Sequence, residues 1–303
     1  MNGILPLWKE KGMTSHDCVF KLRKILRTKK VGHTGTLDPQ VEGVLPICIG
    51  QATRIAEYLT DAGKTYEAVV SIGRTTETED AEGETVEQDI SYKKVTKQQI
   101  LDALATLTGV IEQTPPMYSA VKVNGKRLYE YARKGETVER PSRKVTIYSL
   151  ELLSDEEVYE GNEITFRIRI ACSKGTYIRT LAVQIGEQLG YPAHMASLVR
   201  TASGTFSAKN CVTLKQVEEA VNEDKINEII LPIEYALSSY PFIEITQSIE
   251  KQILNGQILP IHALLKENDK IVFSKGDKAL AVYVPHPSKE GLMKPEKMFP
   301  ELS

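Results

Sequence analysis

Gly32-His33-Thr34-Gly35-Thr36-Leu37-Asp38-Pro39 is the stretch on which the reading of this chain turns. It packs two glycines, a histidine and an Asp-Pro step into eight residues, and Gly43 follows shortly after. Glycine adopts backbone dihedrals closed to other residues, so this composition suits a sharp path close to a ligand. Loops of that kind commonly hold sites. Composition alone also allows a plainer outcome, since an Asp before Pro often only starts a turn.

Outward from the loop, periodic segments alternate in type. Thr14 with Asp17, just before Val19, Leu22, Ile25 and Leu26, reads as a capping box opening an amphipathic helix. A second helix is expected from about Ala52 to Leu59, and the alternation Tyr66, Ala68, Val70, Ile72 predicts a half-buried strand. The acidic stretch Thr76 to Asp89 reads as a turn or hairpin. Thr96 with Gln99 predicts another capped helix, through Leu104 and Leu107, ended by Gly109. From Thr114 to Arg143 the pattern breaks into Pro115-Pro116, a short strand, an Asn124-Gly125 turn and a basic helical piece near Tyr129 to Lys134. Strands resume at Val145 to Leu152 and Ile164 to Ile170, then a helix carries Ile178, Leu181, Ile185 and Leu189. This interleaving predicts an α/β (α+β) protein. Beyond Tyr240-Pro241 short segments predict a small β-rich domain.

Composition narrows the chemistry. With 303 residues, 41% of them hydrophobic, the chain is long enough for one large core plus a small appended domain. Cys18, Cys48, Cys172 and Cys211 lie far apart, and the five histidines show no ligand spacing, so no metal is expected. Ile4 to Trp8 is too brief for a signal-peptide core, and no apolar run approaches the ~18 residues of a membrane span, which predicts a cytoplasmic protein without membrane partners. The net charge of -2 argues against a general nucleic-acid coat, yet basic residues cluster locally. Lys21, Arg23, Lys24, Arg27, Lys29 and Lys30 form one patch; Lys122, Lys126, Arg127, Arg133, Lys134, Arg140, Arg143 and Lys144 outnumber three glutamates in another. Either patch fits a phosphate track or an ordinary solvated face.

The run from Gly32 to Pro39, followed by Gly43 and Leu45-Pro46, closely resembles the nucleophile motif of TruB-type pseudouridine synthases. Lys11-Gly12-Met13-Thr14-Ser15 is similar to that family's N-terminal motif, Lys64-Thr65-Tyr66 to its second motif, and Ser173 to Arg179 to its arginine motif. Ser197 to Phe206 resembles the late motif, and the C-terminal segment is loosely similar to a PUA-type RNA-binding domain. The resemblance implies a central mixed, largely antiparallel sheet flanked by helices. It further implies a catalytic domain over 1–237, with an RNA-gripping, thumb-like insertion at about 114–143, and a PUA-like domain over 238–303.

The implied reaction isomerises the T-loop uridine of tRNA, position 55 in tRNA numbering, with no cofactor and no guide RNA, by an expected monomer. The bond from N1 of uracil to ribose breaks and the base rejoins through C5, so a carboxylate that acts at the sugar and then leaves is needed. The resemblance assigns that role to Asp38; attack at C1′, attack at C6 and removal of the C2′ proton all remain open. A carboxylate in a water-excluding pocket is penalised by desolvation, and Arg179 within ~4 to 6 Å would offset that. Tyr66 is assigned as the catalytic stacking tyrosine for a base flipped out of the RNA, with Tyr177 and Leu198 as pocket walls. His33 and Lys64 are expected to contact substrate. Lys24, Lys29, Lys30, Lys122, Lys126, Arg127 and Arg133 are candidates for the RNA backbone, reaching the T arm while the C-terminal domain reaches the acceptor end. The alternative is a non-catalytic protein that opens and refolds tRNA with the same cleft.

Overall fold

The computed structural model describes residues 1–299, so positions 300–303 of the expected C-terminal domain lie outside the described residues. The strand Lys64–Ile72 runs at the centre of the principal sheet. Its alternation is as predicted: Tyr66, Ala68, Val70 and Ile72 are buried, whereas Thr65, Glu67 and Val69 are partly covered. On the wetter face Glu67 is caught between Arg167 and Arg169 of the next strand, at 3.2 and 3.1 Å. Antiparallel neighbours flank this strand, Ala193–Ser203 on one side and Ile164–Cys172 on the other. Outward from Ile164–Cys172 come Arg143–Leu152 and then Gly109–Gln113, both antiparallel.

On the other side Ala193–Ser203 meets Glu42–Ile49 in a parallel pairing, Val199 opposite Glu42 and Arg200 opposite Gly43. Gly3–Lys9 closes that edge antiparallel to Glu42–Ile49. With the short strands Val31–His33 and Phe206–Ser207 the sheet has nine strands, mixed and largely antiparallel. The parallel contact depends on one residue. Gly43 sits at φ +129, and a Cβ there would lie 2.2 Å from the Arg200 carbonyl oxygen, so only glycine lets the two backbones meet.

Helices cover the sheet where the sequence supplies apolar stripes. Ile178–Leu189 buries Ile178, Leu181 and Ile185 and ends at Gly190, φ +79. Ser15–Ile25 buries Cys18, Val19 and Leu22 behind the predicted capping box, in which Thr14 and Asp17 satisfy each other's amides. Lys97–Thr106 carries the Thr96–Gln99 box. Two expectations change. The helix expected from Ala52 to Leu59 begins as a 3-10 turn, Gly50–Ile55, and becomes α-helical over Ala56–Asp61. There Asn2 Oδ1 accepts from the Gln51 amide and the Thr53 hydroxyl donates to the Gly50 carbonyl, local bonds that compete with an α-helical start. Gly109 does not end its helix: Leu107 is the cap, and Gly109 opens the next strand.

The insertion is built from the two-residue strands Lys122–Val123 and Lys126–Arg127 around Asn124-Gly125, followed by the helix Leu128–Ala132. Both turn residues have positive φ, 50° and 82°, the mirror-image geometry that matches strand twist. Arg74–Thr76 pairs with Thr85–Gln88, so the acidic stretch is a hairpin. A second sheet has the order Phe242–Glu244, Ile271–Lys275, Lys278–Pro285, Leu292–Met298, Leu259–Pro260. Its Val272, Val282 and Phe299 share a core with Ile4, Val44 and Leu59, which fastens it to the first sheet.

Candidate active site

The loop that carries Asp38 is held from both sides. The Ser15 hydroxyl accepts from the Leu37 amide at 2.9 Å, and the Gly12 amide donates to the Pro39 carbonyl at 2.9 Å. Lys9, fully buried, donates to the Pro39 carbonyl at 3.2 Å and to that of Glu10 at 3.0 Å. Thr34 donates to the Pro46 carbonyl through both amide and hydroxyl. The N-terminal Lys11–Ser15 motif therefore works as a clamp on this loop.

Asp38 Oδ2 lies 3.2 Å from Arg179 Nε. The side chain of Asp38 is 44% exposed and that of Arg179 only 7%. This corrects the expected water-excluding pocket around the carboxylate: the loop delivers Asp38 to a cavity edge, and burial falls on the arginine. Arg179 spends its other donors on segments far away in sequence. Its Nη1 donates to the Thr78 carbonyl at 2.9 Å and lies 3.7 Å from Asp80 Oδ2; its Nη2 donates to the Tyr118 carbonyl at 3.0 Å. Far from being an ordinary charge on a surface helix, it joins the loop, the acidic hairpin and the root of the insertion.

A cavity of about 310 Å³ opens beside Asp38, walled by Lys64, Tyr66, Tyr177, Arg179, Leu198 and Arg200. A second cavity of about 460 Å³ lies across the Asp38–Arg179 pair, against Thr78, Asp80 and Tyr118. Tyr66 and Leu198 stand on adjacent strands on one face of the sheet, where Arg200 is the register partner of Tyr66. Burial pushes the Tyr66 phenol above its ordinary value, opposed by the charge of Arg200. The Tyr177 ring packs under the Arg143 guanidinium at 4.8 Å, and its amide donates to Gln113 Oε1 at 2.9 Å. Lys64 is buried, and its ammonium donates to the carbonyls of Leu59, Thr60 and Ala62. Desolvation lowers it to about 8, with Arg200 adding repulsion.

Six of the predicted residues thus meet at one cavity: Asp38, Lys64, Tyr66, Tyr177, Arg179 and Leu198. His33 does not line either cavity; it is half-buried on Val31–His33, with Nδ1 buried and without a hydrogen-bond partner. Burial lowers its basicity. The basic candidates lie elsewhere, all exposed: Lys24, Lys29 and Lys30 on and just after the first helix, Lys122, Lys126, Arg127 and Arg133 on the insertion. Lys24 stands 4.4 Å over the ring of Phe20, while Arg127 and Arg133 flank Tyr129 at 5.8 and 5.2 Å. Sequence reasoning gave no site role to Asp80, Arg143 or Arg200, although Arg143 stood in the second basic patch and Arg200 within the late motif. Only the acidic run held a signal for Asp80. Within that run Thr78 donates to Asp80 Oδ1, and Glu79 Oε2 accepts from Thr180 at 2.6 Å, so the hairpin is stitched to the helix bearing Arg179.

A loop-borne carboxylate paired with a buried arginine, beside a cavity walled by an aromatic and an aliphatic side chain, sits here on a fold shared with chains of solved assemblies. One is a chain from an H/ACA ribonucleoprotein bound to a substrate RNA containing 2′-deoxyuridine, 26% identical with a TM-score of 0.72 over 98% of this chain and 84% of that one. Another is from a Cbf5-Nop10-Gar1 complex, 29% identical with a TM-score of 0.73 over 99% and 86%. The fold is that of a pseudouridylate synthase. Residues 23–178 match the N-terminal domain of TruB family pseudouridylate synthases, and 179–238 match the C-terminal domain of tRNA pseudouridylate synthase B. The tRNA pseudouridine synthase B of Bacillus anthracis is 54% identical over 98% of this chain and 97% of its own length; that of Geobacillus thermodenitrificans is 54% identical over 99% and 100%. The chain belongs to the TruB family.

Proposed function

We propose that this chain isomerises uridine to pseudouridine at position 55 in the T loop of tRNA, acting on a base flipped out of the RNA. The observation that carries this is the Asp38–Arg179 contact of 3.2 Å at the edge of a cavity of about 310 Å³ shared with Tyr66 and Leu198. That volume lies at the small end of ligand sites, ~300 to 1,000 Å³, and suits a single nucleoside. Arg179 fixes the carboxylate towards the cavity, where Asp38 acts on the ribose. Tyr66 and Leu198 take the two faces of the uracil, stacking that offsets part of the few kcal/mol needed to unstack it. Tyr177, braced by Arg143, closes the sugar side.

The cation-aromatic groupings on the insertion and first helix suit an RNA backbone with neighbouring bases. In this reading 1–237 is the catalytic domain, 238–303 a PUA-like domain directed at the acceptor end, and the protein works in the cytoplasm as a monomer, directly on tRNA. Direct action on tRNA is supported by relatives at 54% identity that are named for tRNA, against 26–29% for the chains from the H/ACA ribonucleoprotein and the Cbf5-Nop10-Gar1 complex.

The test is incubation of the purified protein with unmodified tRNA transcript and mapping of pseudouridine. Product at the T-loop uridine, lost in Asp38→Asn while RNA binding persists, is the expected result. Product elsewhere, or an undiminished Asp38→Asn enzyme, overturns the reading.

A further inference from the structure

Arg200 is buried at 1% exposure and heads the fully buried side chains by size among the described residues. Its Nε donates to the Val44 carbonyl at 2.6 Å, whereas its Nη2 is buried with no hydrogen-bond partner. The carboxylates of the site, Asp38 and Asp80, pair with Arg179 instead. Lys9 and Lys64, the neighbouring buried cations, both spend their ammoniums on backbone carbonyls. Arg200, whose side chain also hydrogen-bonds Tyr66, keeps its Nη2 without an acceptor, and the residue lines the same cavity as Asp38, Tyr66 and Leu198.

A buried charged donor without an acceptor is costly, and a ligand acceptor would remove the cost. The side chain is also fixed in place. Its backbone is pressed against Gly43 and registered with Tyr66, and Val44 holds its Nε. A rigid donor that carries charge and is itself shielded from water is best used where negative charge develops during reaction.

We propose that Arg200 is a catalytic residue, whose Nη2 donates to a carbonyl oxygen of the flipped uracil and stabilises the charge the base acquires when its bond to ribose breaks. This rests on the uridine isomerisation proposed above. When N1–C1′ breaks, the electron pair leaves with the base and spreads from N1 onto O2 and O4. C5 then bonds to C1′, the C5 proton departs and N1 gains one, so atoms and charge balance. Asp38 and Arg179 serve the sugar; Arg200 serves the base.

The test compares single-turnover cleavage of the N1–C1′ bond by the parent and by Arg200→Gln on two tRNA transcripts, one with uridine and one with 5-fluorouridine at the target. Loss of such a donor should slow the uridine substrate about 100-fold, with tRNA affinity within about 3-fold of the parent. Fluorine makes uracil a better leaving anion, so the defect should shrink to roughly 10-fold on 5-fluorouridine. Arg200→Lys, which keeps charge without the fork, should fall between. A merely structural role predicts the same factor on both substrates; that result, or an undiminished Arg200→Gln, overturns the proposal. Should the variants not fold, the parent carries the test with 2-thiouridine and 4-thiouridine transcripts, which replace each carbonyl oxygen by a weak acceptor. One must slow by about 10-fold or more, and equal rates on all three overturn the proposal. A parent that leaves both transcripts unchanged overturns the isomerase reading instead.

Discussion

Replacing Arg179 by lysine tests whether the site needs a positive charge at this position or the shape of the guanidinium. The arginine reaches four acceptors, Asp38 at 3.2 Å, Thr78 at 2.9 Å, Tyr118 at 3.0 Å and Asp80 at 3.7 Å, and it does so from three different nitrogens. A lysine ammonium stops roughly one bond short of the outer nitrogens and offers a compact cone of donors where the arginine presents a planar fork. Coulomb attraction to Asp38 survives, since unit charges about 4 Å apart attract by ~4 kcal/mol at an effective dielectric of 20. The carbonyls of Thr78 and Tyr118 lose their donors, at a cost of about 1 to 1.5 kcal/mol each. A chain of this size should then melt on the order of 5 °C lower and remain folded. Catalysis should suffer far more. Misplacement by about 1 Å of a group that must meet the ribose costs on the order of 100-fold. Tritium release from tRNA labelled at C5 of uridine measures the rate, and scanning calorimetry measures the melting. A lysine enzyme within about 3-fold of the parent rate would refute the argument, because charge without the fork would then suffice.

Gly43→Ala would drive a Cβ to 2.2 Å from the Arg200 carbonyl at φ +129, so loss of more than about 4 kcal/mol and failure to accumulate soluble protein are expected; an unchanged melting temperature contradicts this. Removing the charges of Lys126, Arg127 and Arg133 together should weaken tRNA binding and lower the slope of log affinity against log salt by about 2. Equal slopes for variant and parent would show that the insertion does not grip phosphate. Lys64 is lowered to about 8 in the folded protein from its ordinary 10.5, so between those values the unfolded chain binds more protons and stability gains with rising pH. The melting temperature of the parent relative to Lys64→Met should accordingly climb from pH 8 to pH 10.5, and a flat difference across that window counts against the burial argument.

The parts of this fold legible in sequence are those governed by short-range rules. Thr14 with Asp17, Thr96 with Gln99 and Asn124-Gly125 each act within four residues, and each formed as its pattern implies. Tyr66 to Ile72 alternates because one face of its strand meets the core. The strands Gly3–Lys9 and Glu42–Ile49 carried no such sign, each being interrupted by a proline. Pro6 and Pro46 stand opposite one another in the register, so neither is called on to donate across the pair. Their carbonyls turn outward to the amides of Val212 and Thr34. That arrangement exists only after four distant segments have met.

The same division runs through the site. Resemblance located Asp38, Tyr66 and Arg179, yet the reason Arg179 is immobile lies in Thr78, Asp80 and Tyr118, whose contributions are two backbone carbonyls and one carboxylate among many. Backbone carbonyls have no sequence signature, since every residue carries one. Arg200 was hidden differently: its side chain is placed by the close approach of Gly43, a contact between strands more than 150 positions apart. A buried arginine with an unspent donor becomes visible only when the cavity it walls is visible. The residues proposed to act on the sugar were thus named by their motifs, whereas the residue proposed to act on the base lay in a motif that gave it no role until the packing around it was visible.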